Sequence, residues 1–577
     1  MESYINKRLA VPICLFSAMV TSVARILNAT DLAWDFPSQM QAAQHLLAGK
    51  GLSIYAWAIE GDLAGRADLL TMAHFPAGYA LCAAALIVMG FSVAAIVKTL
   101  GAIATLLGWW GWAELSIRFL GDRSKPNVLW SWLGCFIAFV LPLMCTPPWQ
   151  STEIFLWAVI PWVLCLNVKA SNDADSSSRR ADLLAGGLCG VAFLMNYSAV
   201  FLAFYMLLLI LAQSKISSRA LGNRIVSFVI GAFPFFAFQI YINHFTSKTE
   251  SIAGSITLAG GIPTGLHRFW HGLGLLSSAN LAIAWWAPRQ VINWLTQPNN
   301  AALAAATIVA FVLLPWILSA KLGLRRVSTA AADLRVIAAG FFAIVPFCLW
   351  AWTALSDYLF IADLKYYTPL YPLGVFFACA FAIPSDRPEG SVQKVLRWAG
   401  GAYLAGFVLV AASSAVLLLV PGDIGTGRRV MLMGTTKFNH WPSMKLAYEF
   451  SAARTYAIEL IKQNPDTVLV TNHEEWFYGD PNVDGSRITR LKDFRATYIS
   501  GPSHLLIVAE DYAGGSIEAV SWYTHFGKLM RADYFQQIPN VRLLKRFPEE
   551  NIKIVEAWIP AGERIPLTHN AREESKS

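Results

Sequence analysis

The chain has 577 residues, 56% of them hydrophobic and only 14% charged, with a mean hydropathy of +0.47. Apolar runs of about 18 to 25 residues recur, each long enough for the ~30 Å hydrocarbon core of a bilayer, which excludes an ordinary soluble protein. The net charge of +8 comes without a basic cluster interleaved with aromatics, so no nucleic-acid partner is expected.

The first apolar run, 9–27, follows Lys7 and Arg8, and no small-residue cleavage site precedes the polar stretch after it. It is expected as a retained helix with a cytoplasmic N-terminus. Beyond it an outer loop spans 28–97. This loop carries Asp31 and Asp35, an amphipathic helix over 37–48 ending in Leu47-Ala-Gly49, and the element His74-Phe-Pro-Ala-Gly-Tyr79. Carboxylates at a membrane boundary are costly to desolvate. Read singly, the two are solvated loop residues, one of them capping the helix. Taking 76–120 as two crossings would put Arg118, Arg123 and Lys125 outside. A juxtamembrane or re-entrant helix over 76–92 and a single crossing at 98–117 keep them inside.

Helix 127–146 then runs outward and 152–169 returns to a loop, Ser171 to Asp182, with Arg179 and Arg180. The run 183–213, interrupted by Asn196-Tyr-Ser198, predicts a hairpin of two short helices ending at a basic loop with Lys215, Arg219 and Arg224. Crossings follow at 225–242, 301–319, 335–355, 368–384 and 398–420, with a large outer loop over 244–300. Positive-inside bookkeeping gives about eleven transmembrane helices and an outer C-terminus.

From 422 to 565 the charges rise and strand-like segments appear at Thr467–Thr471, His504–Val508, Val541–Lys545 and Ile552–Ile559. With a helical stretch over 444–463 this predicts an extracytoplasmic α/β domain behind a membrane domain of residues 1–421, with a disordered tail over 566–577. All eight cysteines lie in apolar segments, so no disulfide framework is expected in the outer domain. His473-Glu474-Glu475 lacks the second His of a metalloprotease helix and reads as a surface turn.

This topology collects the polar residues on one side of the bilayer. Asp31 and Asp35 share that side with Glu153 in Ser151-Thr-Glu153, Asn196 and Tyr197 at the hairpin tip, and His267-Arg268 in the large outer loop. Asp363-Leu-Lys365-Tyr366-Tyr-Thr-Pro-Leu-Tyr-Pro372 lies there too. Each has a plain alternative as a helix-end, loop or interfacial residue.

The order of these motifs resembles the GT-C membrane glycosyltransferases, the superfamily of protein O-mannosyltransferases and lipid A aminoarabinose transferases. In that family an early Asp of the first outer loop is the catalytic carboxylate, and a Pro-x-x-Tyr-like element leads into a juxtamembrane helix. Asp35, Leu47-Ala-Gly49 and His74 to Tyr79 are similar in order and spacing. Ser151-Thr-Glu153 resembles a later acidic element. Asn196-Tyr-Ser198 and Lys365-Tyr-Tyr-Thr-Pro-Leu-Tyr-Pro372 resemble two further elements in which the family carries Arg, and Phe36 stands where the mannosyltransferase branch has a second acid.

The resemblance covers residues 1–420. It implies a GT-C fold and transfer of a sugar from a polyprenyl-phosphate-linked donor to a lipid, glycan or protein acceptor at the outer face of the inner or plasma membrane. Asp35 would take the acceptor proton, with Asp31 the runner-up, and Glu153 would orient the acceptor. Lys365, Tyr366, Arg268, His74, Tyr79, Asn196 and Tyr197 would contact substrate or phosphate. A cation, or a divalent metal ion on Asp35, Glu153 and His267, would stabilise the leaving phosphate. The outer domain would cover the site or recruit acceptor. The competing reading is a transporter or lipid-linked-sugar flippase. Such proteins carry ionisable or broken-helix positions at the bilayer midplane, where this chain has almost none.

Overall fold

The computed structural model describes residues 36–73, 75–120, 152–172, 176–212, 218–245, 394, 451–478, 480–511, 517, 519–523, 529–569 and 571–573. The expected crossings over 9–27, 127–146 and 301–420, and the large outer loop beyond 245, lie outside them. Helix α1 (Phe36–Leu47) stops where Gly49 adopts a left-handed φ of 74°. Gly49 N–H reaches the Leu46 carbonyl and Lys50 N–H the His45 carbonyl, which satisfies the last turn. That is the physical use of Leu47-Ala-Gly49. Three short strands follow, β1 (Ser53–Tyr55), β2 (Glu60–Asp62) and β3 (Leu69–Thr71), with β1 and β3 paired antiparallel.

Helix α2 (Ala77–Val88) has 12 residues. At 1.5 Å per residue it is about 18 Å long, too short to cross a bilayer. It ends in the same glycine-terminated geometry at Gly90, leaving Val88, Met89 and Phe91 exposed as an apolar tip. Helices α3 (Val93–Leu120) and α4 (Glu153–Asn172) pack through Gly108 and Gly111, where added Cβ atoms would run into the Trp157 ring and into Pro161 and Trp162. Trp112 Nε1 donates to the Trp157 carbonyl at 3.0 Å, and Trp162 Nε1 to the Leu107 carbonyl at 3.0 Å.

Helices α5 (Ser176–Met195) and α6 (Ala199–Ala212) form the expected hairpin around Asn196-Tyr-Ser198. Helix α7 (Ser218–Phe245) packs on α5 through Gly186, Gly190 and Gly231, with the backbones so close that a Cβ on Gly186 would meet the Phe228 carbonyl. Both α5 and α7 start about seven residues earlier than hydropathy places them, because each takes its first two turns from the polar stretch before the apolar run. Arg224 is therefore a helix residue rather than part of a basic loop. It is buried, and its guanidinium forks onto Asp182, with Nε at 2.7 Å from Oδ2 and Nη2 at 2.9 Å from Oδ1. Among the described residues, one helix, Ser218–His244, is long and apolar enough to cross a membrane. It exposes Val226, Ile230, Phe233 and Tyr241, a stripe suited to lipid.

The C-terminal region is an α/β domain. Helix α8 (Ala452–Gln463) is capped by Ser451, whose Oγ accepts from Arg454 N–H while the Glu550 carboxylate accepts from Ser451 Oγ and Ala452 N–H. The strands are β4 (Val468–Thr471), β5 (Ile488–Arg490), β6 (Arg495–Ser500), β7 (Ser503–Glu510), β8 (Val520–Tyr523), β9 (Leu529–Ala532), β10 (Arg542–Phe547), β11 (Ile552–Ile559), β12 (Arg564–Pro566) and β13 (Ala571–Glu573). The main sheet runs β10-β11-β7-β8-β9-β13, with β4 parallel to both β5 and β7. Four strands match the sequence expectation closely. The chain remains regular past 566, because β13 pairs with β9.

A second sheet, β12-β6-β2, takes its edge strand from the loop between α1 and α2: Glu60–Asp62 pairs parallel with β6. Leu63 is fully buried in the same core as Val470, Leu491 and Ile507. The first loop and the C-terminal domain thus share one sheet and one core.

Candidate active site

Of the residues expected to carry chemistry, Glu153, Tyr79, Asn196 and Tyr197 are described. Asp31, Asp35, His74, His267, Arg268, Lys365 and Tyr366 lie outside the described residues. The described four converge on one region. Phe36, the residue after Asp35, stacks on Tyr79 with ring centroids 4.6 Å apart. Tyr79 in turn meets the edge of Phe155 at 5.9 Å, two positions after Glu153. Three motifs far apart in sequence therefore meet through one column of rings. The Tyr79 hydroxyl is buried and makes no hydrogen bond among the described residues.

Glu153 opens α4 and is buried beside Thr152. A carboxylate at this end is favoured by the helix dipole. Asn196 Nδ2 donates to Thr152 Oγ1 at 3.0 Å, while its Oδ1 accepts from Ser198 N–H at 2.9 Å. Asn196 therefore joins the hairpin tip to the acidic helix start. Tyr197 braces the next element. Its hydroxyl donates to the Ala73 carbonyl at 2.9 Å and accepts from Gln239 Nε2 at 3.1 Å. Gln239 Oε1 also accepts from Ala77 N–H at 2.8 Å, so Tyr197 and Gln239 grip the chain on both sides of His74. Thr152 belongs to the Ser151-Thr-Glu153 motif, but Gln239 and Asn243 carry no motif signal; helical phase on α7 places them four residues apart on one face.

Behind α1 the loop is cross-braced. His45 Nδ1 lies 2.8 Å from the Ser53 carbonyl, its ring meets Tyr55 edge-on at 4.8 Å, and Gln41 Oε1 accepts from Tyr55 N–H at 3.1 Å. Burial holds the His45 imidazole below its ordinary pKa, with the nearby Lys50 charge acting the same way and the Ser53 bond opposing.

The C-terminal domain closes the other side of the loop. His473 and Glu474 are not a surface turn: both are buried. His473 stacks on Trp476 at 4.4 Å, and Glu474 is ion-paired with Arg490, whose guanidinium lies 4.6 Å from the Trp57 ring of the first loop. His473 and Glu474 meet Glu510 at the end of β7 and Arg490 at the end of β5, partners that no local pattern reveals. Among the described residues, no group of three His, Cys, Asp or Glu side chains is placed to hold a metal ion, and Glu153 is the one expected ligand among them.

Neither protein-family models nor curated protein sequences match the chain. Solved structures do. The ArnT structure from Cupriavidus metallidurans bound to undecaprenyl phosphate is similar over 95% of this chain and 97% of its own, at 12% identity and a TM-score of 0.41. The Archaeoglobus fulgidus oligosaccharyltransferase with Zn and sulfate is similar over 92% of this chain and 74% of its own, at 12% identity and a TM-score of 0.45. The A. fulgidus oligosaccharyltransferase AglB with an inhibitory peptide and a dolichol-phosphate matches over 92% and 75%, at 11% identity and a TM-score of 0.41.

Proposed function

We propose that the chain is a polytopic membrane glycosyltransferase of GT-C type. It moves a sugar from a polyprenyl-phosphate-linked donor to an acceptor hydroxyl at the extracytoplasmic face. The observation that supports this reading is the Phe36–Tyr79–Phe155 column, which joins the residue after Asp35 to the start of α2 and to the helix that Glu153 opens.

In this reading the acceptor hydroxyl attacks the anomeric carbon as Asp35 takes its proton, and the C–O bond to the lipid phosphate breaks. Asp31 lies four residues upstream, within the same loop. Glu153, held at its helix start by the Thr152–Asn196 contact, orients the acceptor. Lys365 and Arg268 meet the charge of the departing phosphate, with Tyr366, His74 and Tyr79 nearby. Tyr197 and Asn196 serve by bracing the elements that present His74 and Glu153. A divalent metal on Asp35, Glu153 and His267 would act as a further counter-charge. The mechanism requires no step through it.

The test is Asp35→Asn in membranes with normal protein levels, supplied with radiolabelled polyprenyl-phosphate sugars. Transfer is expected to fall by about 100-fold or more, as for loss of a positioned general base. Transfer at the wild-type rate would remove Asp35 from that role.

A further inference from the structure

The C-terminal domain has no evident catalytic motif, yet it makes an unusually specific seam with the first outer loop. Trp57 offers its carbonyl to Arg490 N–H at 2.9 Å, and Ile59 N–H donates to Thr489 Oγ1 at 2.7 Å. From there β2 lies along β6, with Glu60 opposite Arg495 and Asp62 opposite Tyr498. Asp62 accepts from Ser500 N–H at 3.1 Å and from Ser500 Oγ, and caps its own turn through Ala64 N–H at 2.9 Å. Leu63 N–H and Ala67 N–H donate to the carbonyls of Tyr498 and Ser486. Gly485 approaches so closely that a Cβ there would lie 2.9 Å from Gln41 Nε2 on α1 and 3.0 Å from the Tyr55 ring.

The seam connects to the catalytic end of the loop without a break. β1 is fastened to α1 by the Gln41–Tyr55 and His45–Ser53 bonds, and α1 begins at Phe36, one residue after Asp35. We infer that the C-terminal domain is a splint for the catalytic loop, with Asp62, Thr489 and Arg490 as positioning residues that hold α1, and through it Asp35, against the membrane helices. The inference rests on the proposed transferase reading. It gives the domain a fixed mechanical task rather than the task of a moving cover. A general base displaced by about 1 Å costs on the order of 100-fold in rate, so a strand pairing some twenty-five residues away in sequence matters for chemistry.

Two measurements on the full-length protein in one detergent decide it. In Asp62→Ala/Thr489→Val, hydrogen exchange is expected to speed up across 36–71 while β7 and β11 keep their protection, and the turnover number is expected to fall about tenfold or more with donor KM within about threefold. Unchanged exchange over 36–71, or loosening of the loop with full turnover, overturns the splint.

The second measurement uses Glu60→Cys/Arg495→Cys. These are Cα partners in adjacent strands, about 4.8 Å apart as paired strands are, a separation a disulfide spans, and their side chains are exposed and ion-paired. The oxidised protein is expected to transfer sugar within about twofold of the reduced one, since a fixed splint needs no opening. Loss of turnover on oxidation that reductant restores would show that the domain must move, and overturns the inference. A wild-type protein inactive with every polyprenyl-phosphate sugar sinks the transferase reading, and the exchange measurement then still decides whether the loop is splinted.

Discussion

The two faces of the loop over residues 36–73 are held by different chemistry. Towards the membrane helices the contact is apolar and buried: Phe36 on Tyr79, Tyr79 on Phe155, with the Tyr197 and Gln239 bonds to backbone on either side of His74. Towards the C-terminal domain it is a strand edge flanked by charges, Glu60 with Arg495 and Arg66 with Asp484, exposed enough for water and salt to reach them. The first face supplies stability by burial. The second supplies register, because backbone pairing and short polar contacts fix position more sharply than they add free energy. In the proposed transferase, the loop that carries Asp35 needs both.

The apolar face should be the costly one to break. Tyr79→Ala removes a fully buried ring from the column, and by analogy with buried aromatic truncations should cost about 3 to 5 kcal/mol. Unfolding in a fixed detergent measures it. Tyr79→Phe is the sharper control. The hydroxyl makes no hydrogen bond among the described residues, so stability should stay within about 1 kcal/mol of wild type. If Tyr79→Phe abolishes sugar transfer while stability holds, the hydroxyl acts on substrate rather than on packing.

The polar face should respond weakly to any single charge. Arg66 lies 3.2 Å from Asp484, and the two side chains are 64% and 31% exposed. Arg66→Ala is expected to cost no more than about 1 kcal/mol, with the difference vanishing as salt is raised. A loss several times larger would mean that the charges, not the β2–β6 pairing, hold the loop.

Much of this arrangement was legible from residues alone, and the misses share one cause. Strands β7 and β11 announce themselves as apolar runs, and Asn196-Tyr-Ser198 breaks a helix where a hairpin turn is needed. The order Asp35, His74 to Tyr79, Glu153 also marks the elements that the ring column joins. Strand β2 does not announce itself. Glu60-Gly61-Asp62 has no strand propensity, and it is extended because β6, more than 430 residues later, offers it a partner. Arg224 and His473 look solvent-facing for the same reason, since their partners Asp182 and Glu510 are supplied by the tertiary fold. Tyr197 bonds a carbonyl 124 positions away, which no local pattern encodes. Long-range polar satisfaction is what a linear reading lacks.

Each region also contains a buried histidine held below its ordinary pKa, and the pair separates the regions by pH. His45 in the loop and His504 in the C-terminal domain both sit below the ordinary 6.5, burial being the main cause in each. For His504 the Glu556 carboxylate, 3.4 Å from Nε2, opposes the shift, and Thr467 Oγ1 lies 2.7 Å from Nδ1. A depressed imidazole binds fewer protons folded than unfolded, so its contribution is fully present above pH 6.5 and is lost as pH falls through the lower folded value. Hydrogen exchange below pH 6.5, corrected for intrinsic rates, should therefore show falling protection in both α1 and β7. His45→Gln should flatten that fall in α1 and leave it in β7, and His504→Gln should do the reverse. If either substitution flattens both, the loop and the domain open as one cooperative unit. The β2–β6 seam would then be the stronger of the loop's two attachments.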